Sequence, residues 1–247
     1  MAGGQDDFSA AKGRITHGPL PNSLVKSTLV FIRRELPCWR DRPDRREESA
    51  EERLNAQLCK HLDAVARRSL PAVQFHHEEK HATGRRVDLS AGLVEGGFIG
   101  TTYHSIDEPF IVIEGKRLPT PGGKAREREY VTGGDERTGG IQRFKLGLHG
   151  PHLPVAAMVG YIQKGTPQQW QQRINGWISE LAGSLPLDGQ WSQTDELEIT
   201  QHDKAACLMT LKSEHKRTAT SGAAIELRHL WIEMTKRSLT TSDPRGM

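Results

Sequence analysis

The stretch Phe110-Ile111-Val112-Ile113-Glu114-Gly115-Lys116-Arg117-Leu118 decides how the middle of this 247-residue chain folds. It opens with four apolar residues and is bounded by Pro109 and Pro119, so we predict a buried β-strand. Glu114 and Lys116 follow at the end of this strand. Because burying a carboxylate and an ammonium group carries a desolvation cost, their presence there indicates a chemical role.

Two further strands are predicted just upstream. Residues 72–79 and 86–93 flank a glycine-containing turn, which is typical of an antiparallel hairpin. Since side chains alternate between the faces of a strand, Asp88 is predicted to lie on the opposite face from the apolar residues, which are Val87, Leu89, Ala91 and Leu93. By the same rule Glu114 and Lys116 share a face of the third strand. If the strands pair, Asp88 can meet Glu114 and Lys116 there.

A helix that carries glutamates is predicted before the hairpin. Residues 44–68 contain an apolar stripe at helical spacing, formed by Leu54, Leu58, Leu62 and Val65. On a helical wheel with about 100° per residue, Glu51 lies near the middle of the stripe and Glu47 lies one turn earlier. We therefore favour Glu51 over Glu47 as the helix carboxylate of the site. The alternative is that the acidic first turn only complements the helix dipole.

This order of a helix with a glutamate, a hairpin with an aspartate, an apolar strand ending in Glu-x-Lys, and a further helix resembles the PD-(D/E)xK nuclease superfamily. The resemblance covers residues 44–163, with Asp88, Glu114 and Lys116 in the three signature positions. It implies an α/β, restriction-endonuclease-like fold, which is a three-layer sandwich with a central mixed sheet flanked by helices.

Two positions depart from the family pattern. Val87 precedes Asp88 where the family has proline, a substitution that carries little weight in so divergent a family. Some exonuclease branches have Gln-x-x-x-Tyr on the helix after the third strand, whereas here Gln142 is followed four residues later by Leu146. Gln142 is therefore only an accessory candidate.

The resemblance implies a Mg²⁺-dependent phosphodiesterase in which Mn²⁺ can substitute. Hydrolysis of a phosphodiester needs a deprotonated water and neutralisation of the charge that develops on the phosphate oxygens. The expected metal ligands are Asp88, Glu114 and the carbonyl oxygen of Gly115, with Glu51 acting through a water or a second ion. Lys116 is expected to orient or deprotonate the attacking water, or to stabilise negative charge, with a pKa lowered by partial burial.

The chain is mildly basic, with a formal net charge of +3 and a pI of about 8.8, which is compatible with a polyanionic partner. The candidate nucleic-acid contacts are basic residues beside the acidic motif, namely Arg85, Arg86, Arg117 and Lys124. The alternative is a solvated charge run, which is less favoured beside Asp88 and Glu114 than for the cluster at residues 40–46. DNA is the expected substrate of an endonuclease, and the alternative is an RNA-cleaving nuclease of the same fold or a catalytically inactive nucleic-acid-binding or assembly protein.

Three parts of the chain are predicted: an N-terminal extension (1–43), a nuclease core (44–185) and a β-rich C-terminal extension of the same domain (186–247). The last part contains three predicted strands, at residues 196–201, 206–213 and 224–234. These strands could extend the main sheet or form a dimer surface, and the sequence does not choose between the two.

The second half of the predicted core contains a loop, a strand and a helix. Residues 119–140 are rich in glycine and charge, which favours a surface loop over a flap that orders on nucleic acid. Residues 154–162 are an apolar run typical of a buried strand. Thr166 is the predicted N-cap of the next helix, whose Trp170 and Trp177 are predicted to lie in the core.

Other classes of site are excluded by spacing. Cys38, Cys59 and Cys207 lack the spacing of a zinc cluster or a disulfide framework, and His76 and His77 point to opposite faces of a strand. With neither a signal peptide nor an apolar run of membrane-spanning length, we expect a cytoplasmic protein with no membrane partner. The resemblance implies a role in restriction, antiphage defence or repair, as a homodimer or as a subunit of a defence or restriction complex.

Overall fold

The computed structural model describes residues 21–80, 86–123, 126–133, 139–184, 191–217 and 224–235. The helices are α1 (Pro21–Asp41), α2 (Glu51–Ser69), α3 (Gly140–Lys145) and α4 (Pro167–Gly183). The strands are β1 (Val73–Lys80), β2 (Arg86–Leu93), β3 (Gly97–Ile99), β4 (Thr102–His104), β5 (Ile111–Leu118), β6 (Val155–Ile162), β7 (Glu198–Asp203), β8 (Leu208–Lys216) and β9 (Ala224–Glu233). None of the helices in these ranges has the length and apolar character needed to cross a membrane.

Seven strands form one mixed sheet in the order β1-β2-β5-β6-β9-β8-β7, and β3 and β4 form a separate hairpin. The pairs β1/β2 and β2/β5 are antiparallel, as the predicted hairpin requires, whereas β6 is parallel to both β5 and β9. The C-terminal strands therefore extend the main sheet, which settles the alternative that the sequence left open.

Helices cover both faces of the sheet. One buried cluster joins α1 and α2 to side chains such as Ile113 and Val159, and the other joins α3 and α4 to side chains such as Val112 and Met158. Trp170 and Trp177 of α4 are 5% and 7% exposed, which confirms their predicted core position. The chain is thus α/β with a mixed central sheet, compatible with a three-layer sandwich.

The sequence predicted that the first described segment belongs to an N-terminal extension, and the structure differs from this prediction. Residues 21–41 form α1, whose Phe31, Ile32, Leu36 and Trp39 are buried in the first cluster. This helix therefore contributes to an outer layer of the same core. The second helix is shorter than predicted, since it begins at Glu51 instead of near residue 44.

Thr166 is confirmed as the N-cap of α4. Its hydroxyl accepts a hydrogen bond from the Gln169 amide, and the Gln169 side chain accepts one from the Thr166 amide, which completes a capping box. The prediction of a surface loop at residues 119–140 was wrong for one part, because Tyr130 and Val131 are fully buried. Tyr130 anchors this segment through hydrogen bonds to His229 and Trp231.

A buried chain of polar groups runs beneath α4, between β8 and β9. Asp195 Oδ1 contacts Lys145 Nζ (2.6 Å) and His215 Nδ1 (2.7 Å), and His215 Nε2 contacts Ser213 Oγ at 2.7 Å. Ser213 Oγ also contacts His229 Nε2 at 2.8 Å. Each group thereby has a partner, as burial of polar side chains requires.

These buried histidines predict a loss of stability in acid. Burial lowers the pKa of His229 well below 6.5, with His215 adding to the effect, so His229 stays neutral in the folded protein while the unfolded chain takes up a proton. A lowered folded-state pKa means that this stabilisation is complete above pH 6.5 and is lost as the pH falls. His229 alone should lower the free energy of unfolding by about 1 kcal/mol between pH 7.5 and 5.5.

Urea unfolding at the two pH values measures this loss. His229→Gln should be less stable overall but should show a shallower pH dependence than the wild type. The control His152→Gln changes an exposed histidine and should leave the pH dependence unchanged. An identical pH dependence in His229→Gln and the wild type would show that His229 does not contribute.

Candidate functional site

The site begins where β2 and β5 separate. Their paired residues end at Leu89 and Ile113, and beyond that point the Asp88 side chain accepts a hydrogen bond from the Gly115 amide at 2.9 Å. The Asp88 carboxylate thus accepts a hydrogen bond from a backbone amide near the point where the pairing of β2 with β5 ends.

The predicted alternation of β2 was wrong at Val87. Leu89, Ala91 and Leu93 pack in the cluster with α1 and α2, but Val87 packs in the opposite cluster. The β1/β2 register passes from His77↔Leu89 to Glu79↔Val87, and Glu78 between them has a positive φ of 54°. Glu78 and Asp88 are thus the pair missing from an otherwise unchanged register.

Lys116 lies between two carboxylates. Its Nζ donates to Glu51 Oε1 at 2.8 Å and lies 3.0 Å from Glu114 Oε1. Glu114 is 0% exposed and Lys116 3%, so this ion pair is removed from water. The buried ammonium group of Lys116 therefore links the first residue of α2 to Glu114 of β5.

Glu51 is the first residue of α2, and the chain around it is held in place. Glu51 Oε2 accepts a hydrogen bond from the Arg117 amide at 2.9 Å, while Glu48 accepts bonds from the amides of Ser49 and Ala50. Of the two glutamates considered from the sequence, Glu51 is thus the one that contacts Lys116. Both of its oxygens are engaged, which places it as a partner of Lys116 and weighs against direct metal ligation.

A second buried contact fixes α2 against β5. Asn55 lies one turn after Glu51, and its Oδ1 accepts a hydrogen bond from the Tyr161 hydroxyl at 2.8 Å. A Cβ atom on Gly115 would lie 1.9 Å from that same Oδ1. The glycine of Glu-Gly-Lys is therefore required by the close approach of Asn55.

Two residues that the sequence did not mark as candidates contact Glu114 from the other side. Arg143 of α3 donates to Glu114 Oε1 at 2.6 Å, and His149 Nδ1 lies 3.4 Å from Glu114 Oε2. Arg143 follows Gln142 directly, so it lies on the helix from which the sequence predicted an accessory residue. His149 lies in the segment after α3, where no periodic pattern marks it.

The expectation that burial lowers the pKa of Lys116 was wrong. Burial alone acts in that direction, but the nearby carboxylates Glu114, Glu51 and Asp88 outweigh it and raise the pKa well above its ordinary value. Lys116 is therefore a charged hydrogen-bond donor in this arrangement.

The pKa values of the two strand carboxylates are shifted in opposite directions. Burial would raise the pKa of Glu114, but Lys116, His149 and Arg143 outweigh it and lower the pKa. For Asp88, burial and then repulsion from Glu114 outweigh the Lys116 charge and the Gly115 amide, and they raise its pKa to about 8. A cation bound beside Asp88 would favour its ionised form.

The donor set is compatible with a hard divalent ion. Asp88 and Glu114 supply carboxylate oxygens, Glu114 Oε2 is buried without a hydrogen-bond partner among the described residues, and a cation would provide the charge that Asp88 lacks. Within the described ranges, no group of three or more His, Cys, Asp or Glu side chains is arranged to hold a metal. Mg²⁺ in enzymes often uses one or two carboxylates together with waters and substrate phosphates.

The side chains of the remaining described candidates have partners outside the cluster of Asp88, Glu114, Lys116 and Glu51. Gln142 Oε1 accepts a hydrogen bond from the Gly133 amide, and Arg117 Nε donates to Gln163. Arg86 forms an ion pair with Glu78 at 3.0 Å and is largely exposed. Arg85 and Lys124 lie outside the described residues.

Comparison with known proteins finds no matching family model, no similar curated protein and no similar solved structure. Function is therefore inferred from the residues of the site and from their geometry.

Proposed function

We propose that this protein is a metal-dependent endonuclease that hydrolyses phosphodiester bonds in DNA and has a restriction-endonuclease-like fold. The observation that carries the proposal is the buried Lys116 between Glu51 and Glu114, next to Asp88 at the point where β2 leaves β5. The order α2, β1, β2, β5, α3, β6 also follows the order of elements on which the family resemblance rests.

Each residue has a distinct role in the proposed reaction. Asp88 and Glu114, with the Gly115 carbonyl, would hold the ion, which supplies an activated water and neutralises phosphate charge. Lys116 donates from a charged ammonium group, so it can orient the attacking water or stabilise a phosphate oxygen. Glu51 acts on the substrate only through Lys116, whose ammonium group it positions.

Arginine and lysine contacts to Glu114 also favour a second candidate function. Lys116 and Arg143 already compensate the charge of Glu114 without a metal, which suits a catalytically inactive nucleic-acid-binding protein. An RNA-cleaving enzyme with the same residues is the other alternative. A role in restriction, antiphage defence or repair, with DNA and a second copy or partner subunit, remains part of the proposal through the family resemblance.

Substrate assays separate these candidates. We expect the purified protein with Mg²⁺ or Mn²⁺ to nick or linearise covalently closed circular DNA, because an endonuclease needs no free end. Single-stranded RNA of matched length should be cleaved more slowly. Faster cleavage of RNA would support the RNA-cleaving alternative, and binding to DNA without cleavage under any metal condition would support the inactive one.

A further inference from the structure

Two buried polar atoms face each other beside the proposed site. Glu114 Oε2 and His149 Nδ1 are 3.4 Å apart, and neither has a hydrogen-bond partner among the residues that the structure describes. The two residues are 0% and 2% exposed. The pair is close enough for electrostatic attraction, but its geometry does not satisfy either atom. Buried polar groups left in this state are costly and rare.

Neighbouring groups hold both atoms in place. The other oxygen of Glu114, Oε1, accepts a hydrogen bond from Arg143 at 2.6 Å and lies 3.0 Å from Lys116 Nζ, whereas Oε2 has the long contact to His149. The His149 ring packs edge-on against Phe144, with the ring centres 5.7 Å apart. The arrangement therefore leaves Oε2 and Nδ1 as neighbouring buried atoms without a hydrogen bond.

Hydrogen bonds from Arg217 hold the segment after His149 in place. The guanidinium group of Arg217, a residue that is 4% exposed, donates to the carbonyl oxygens of Gly150, Pro151 and Leu153 at 2.7–2.8 Å. Gly150 has a positive φ of 52°, which suits glycine at this turn. Because its neighbour is fixed in this way, His149 is presented to Glu114 by a rigid loop.

We propose that His149 is a metal ligand beside Glu114 and that the site prefers a divalent first-row transition ion to Mg²⁺. This inference rests on the proposed function and names the metal class of the same site. Two ligand atoms that each lie about 2.1 Å from one ion are about 3.0 Å apart when the ligand–ion–ligand angle is a right angle and about 3.4 Å apart when it is tetrahedral. Mg²⁺ takes oxygen ligands, whereas an imidazole nitrogen favours transition ions.

Binding of Mn²⁺ to the DNA-free protein tests this assignment without reference to activity. We expect the wild type to bind Mn²⁺ at least tenfold more tightly than Mg²⁺, and His149→Ala to weaken Mn²⁺ binding by about tenfold or more with little change for Mg²⁺. Electron spin-echo spectra of the wild type with Mn²⁺ should show coupling to a ¹⁴N nucleus, and this coupling should disappear in His149→Gln. His152→Ala, at an exposed histidine three residues away, should behave as the wild type.

Two results would overturn the assignment. One is wild-type Mn²⁺ without ¹⁴N coupling, a measurement that does not depend on any variant folding. The other is unchanged Mn²⁺ affinity in His149→Ala, provided that circular dichroism shows it folded. Mn²⁺ binding that persists in His149→Ala but is lost in Asp88→Asn would remove His149 and leave the proposed function intact. A wild type that binds neither ion would overturn both.

Discussion

Replacement of Lys116 by methionine is expected to reduce metal-dependent DNA cleavage by about 10³-fold or more, the range seen when a catalytic charged donor is removed. Methionine keeps the apolar stem and removes only the ammonium group. That group is the shared partner of Glu51 and Glu114, so its loss removes both the donor and one of the contacts that join α2 to β5. Initial cleavage rates at saturating metal measure the effect.

Lys60→Met provides the matched control, since Lys60 is an exposed lysine on the same helix that carries Glu51. It should retain wild-type activity. Because Lys116→Met leaves Glu114 short of positive charge, thermal unfolding should accompany the assay to show that the variant is folded. A folded Lys116→Met protein with more than a tenth of the wild-type rate would contradict the role of Lys116.

Gly115→Ala is expected to lower the free energy of unfolding by about 1–3 kcal/mol, the usual cost of overpacking a core. The new Cβ would lie 1.9 Å from Asn55 Oδ1, and Asn55 is buried and bonded to Tyr161. The clash must therefore displace the Asn55 amide from its bond to Tyr161 or move α2 away from β5. Since α2 carries Glu51, we also expect a large loss of cleavage activity.

A double-variant cycle identifies the cause. In an Asn55→Ala background, the Gly115 substitution should cost much less, because the clashing amide is gone. Gly176→Ala in α4 is the matched control: a Cβ atom added there would meet no neighbouring group within 4 Å, and alanine favours helix. Equal costs of Gly115→Ala in both backgrounds, measured by urea unfolding, would show that Asn55 is not the obstacle.

Much of the sheet around the site could be predicted from local signals. Alternating side chains, a glycine-containing turn and flanking prolines were enough to predict β1 and β2 as an antiparallel hairpin and β5 as a buried strand, and Thr166 marked the start of α4. These signals depend on residues that are close together in the chain, so a single sequence is enough to detect them. They also placed Glu114 and Lys116 near Glu51 before any contact was known.

Features that depend on distant residues could not be predicted. Arg143 and His149 reach Glu114 through the packing of the segment after β5, and the raised pKa of Lys116 depends on carboxylates from three elements. The side of the sheet that Val87 faces depends on the irregular pairing opposite it in β1. Each of these properties arises from tertiary contacts, so periodicity and spacing carry no signal for it.

The rate of double-stranded DNA cleavage by the wild type and Asp88→Asn, measured side by side with Mg²⁺, Mn²⁺ or excess EDTA, tests the central claim most directly. We predict cleavage by the wild type with either metal, none in EDTA, and a loss of about 10³-fold or more in Asp88→Asn, since the substitution removes a charged metal ligand. Cleavage that persists in EDTA, or a folded Asp88→Asn protein with the wild-type rate, would contradict a metal-dependent nuclease built on Asp88, Glu114 and Lys116.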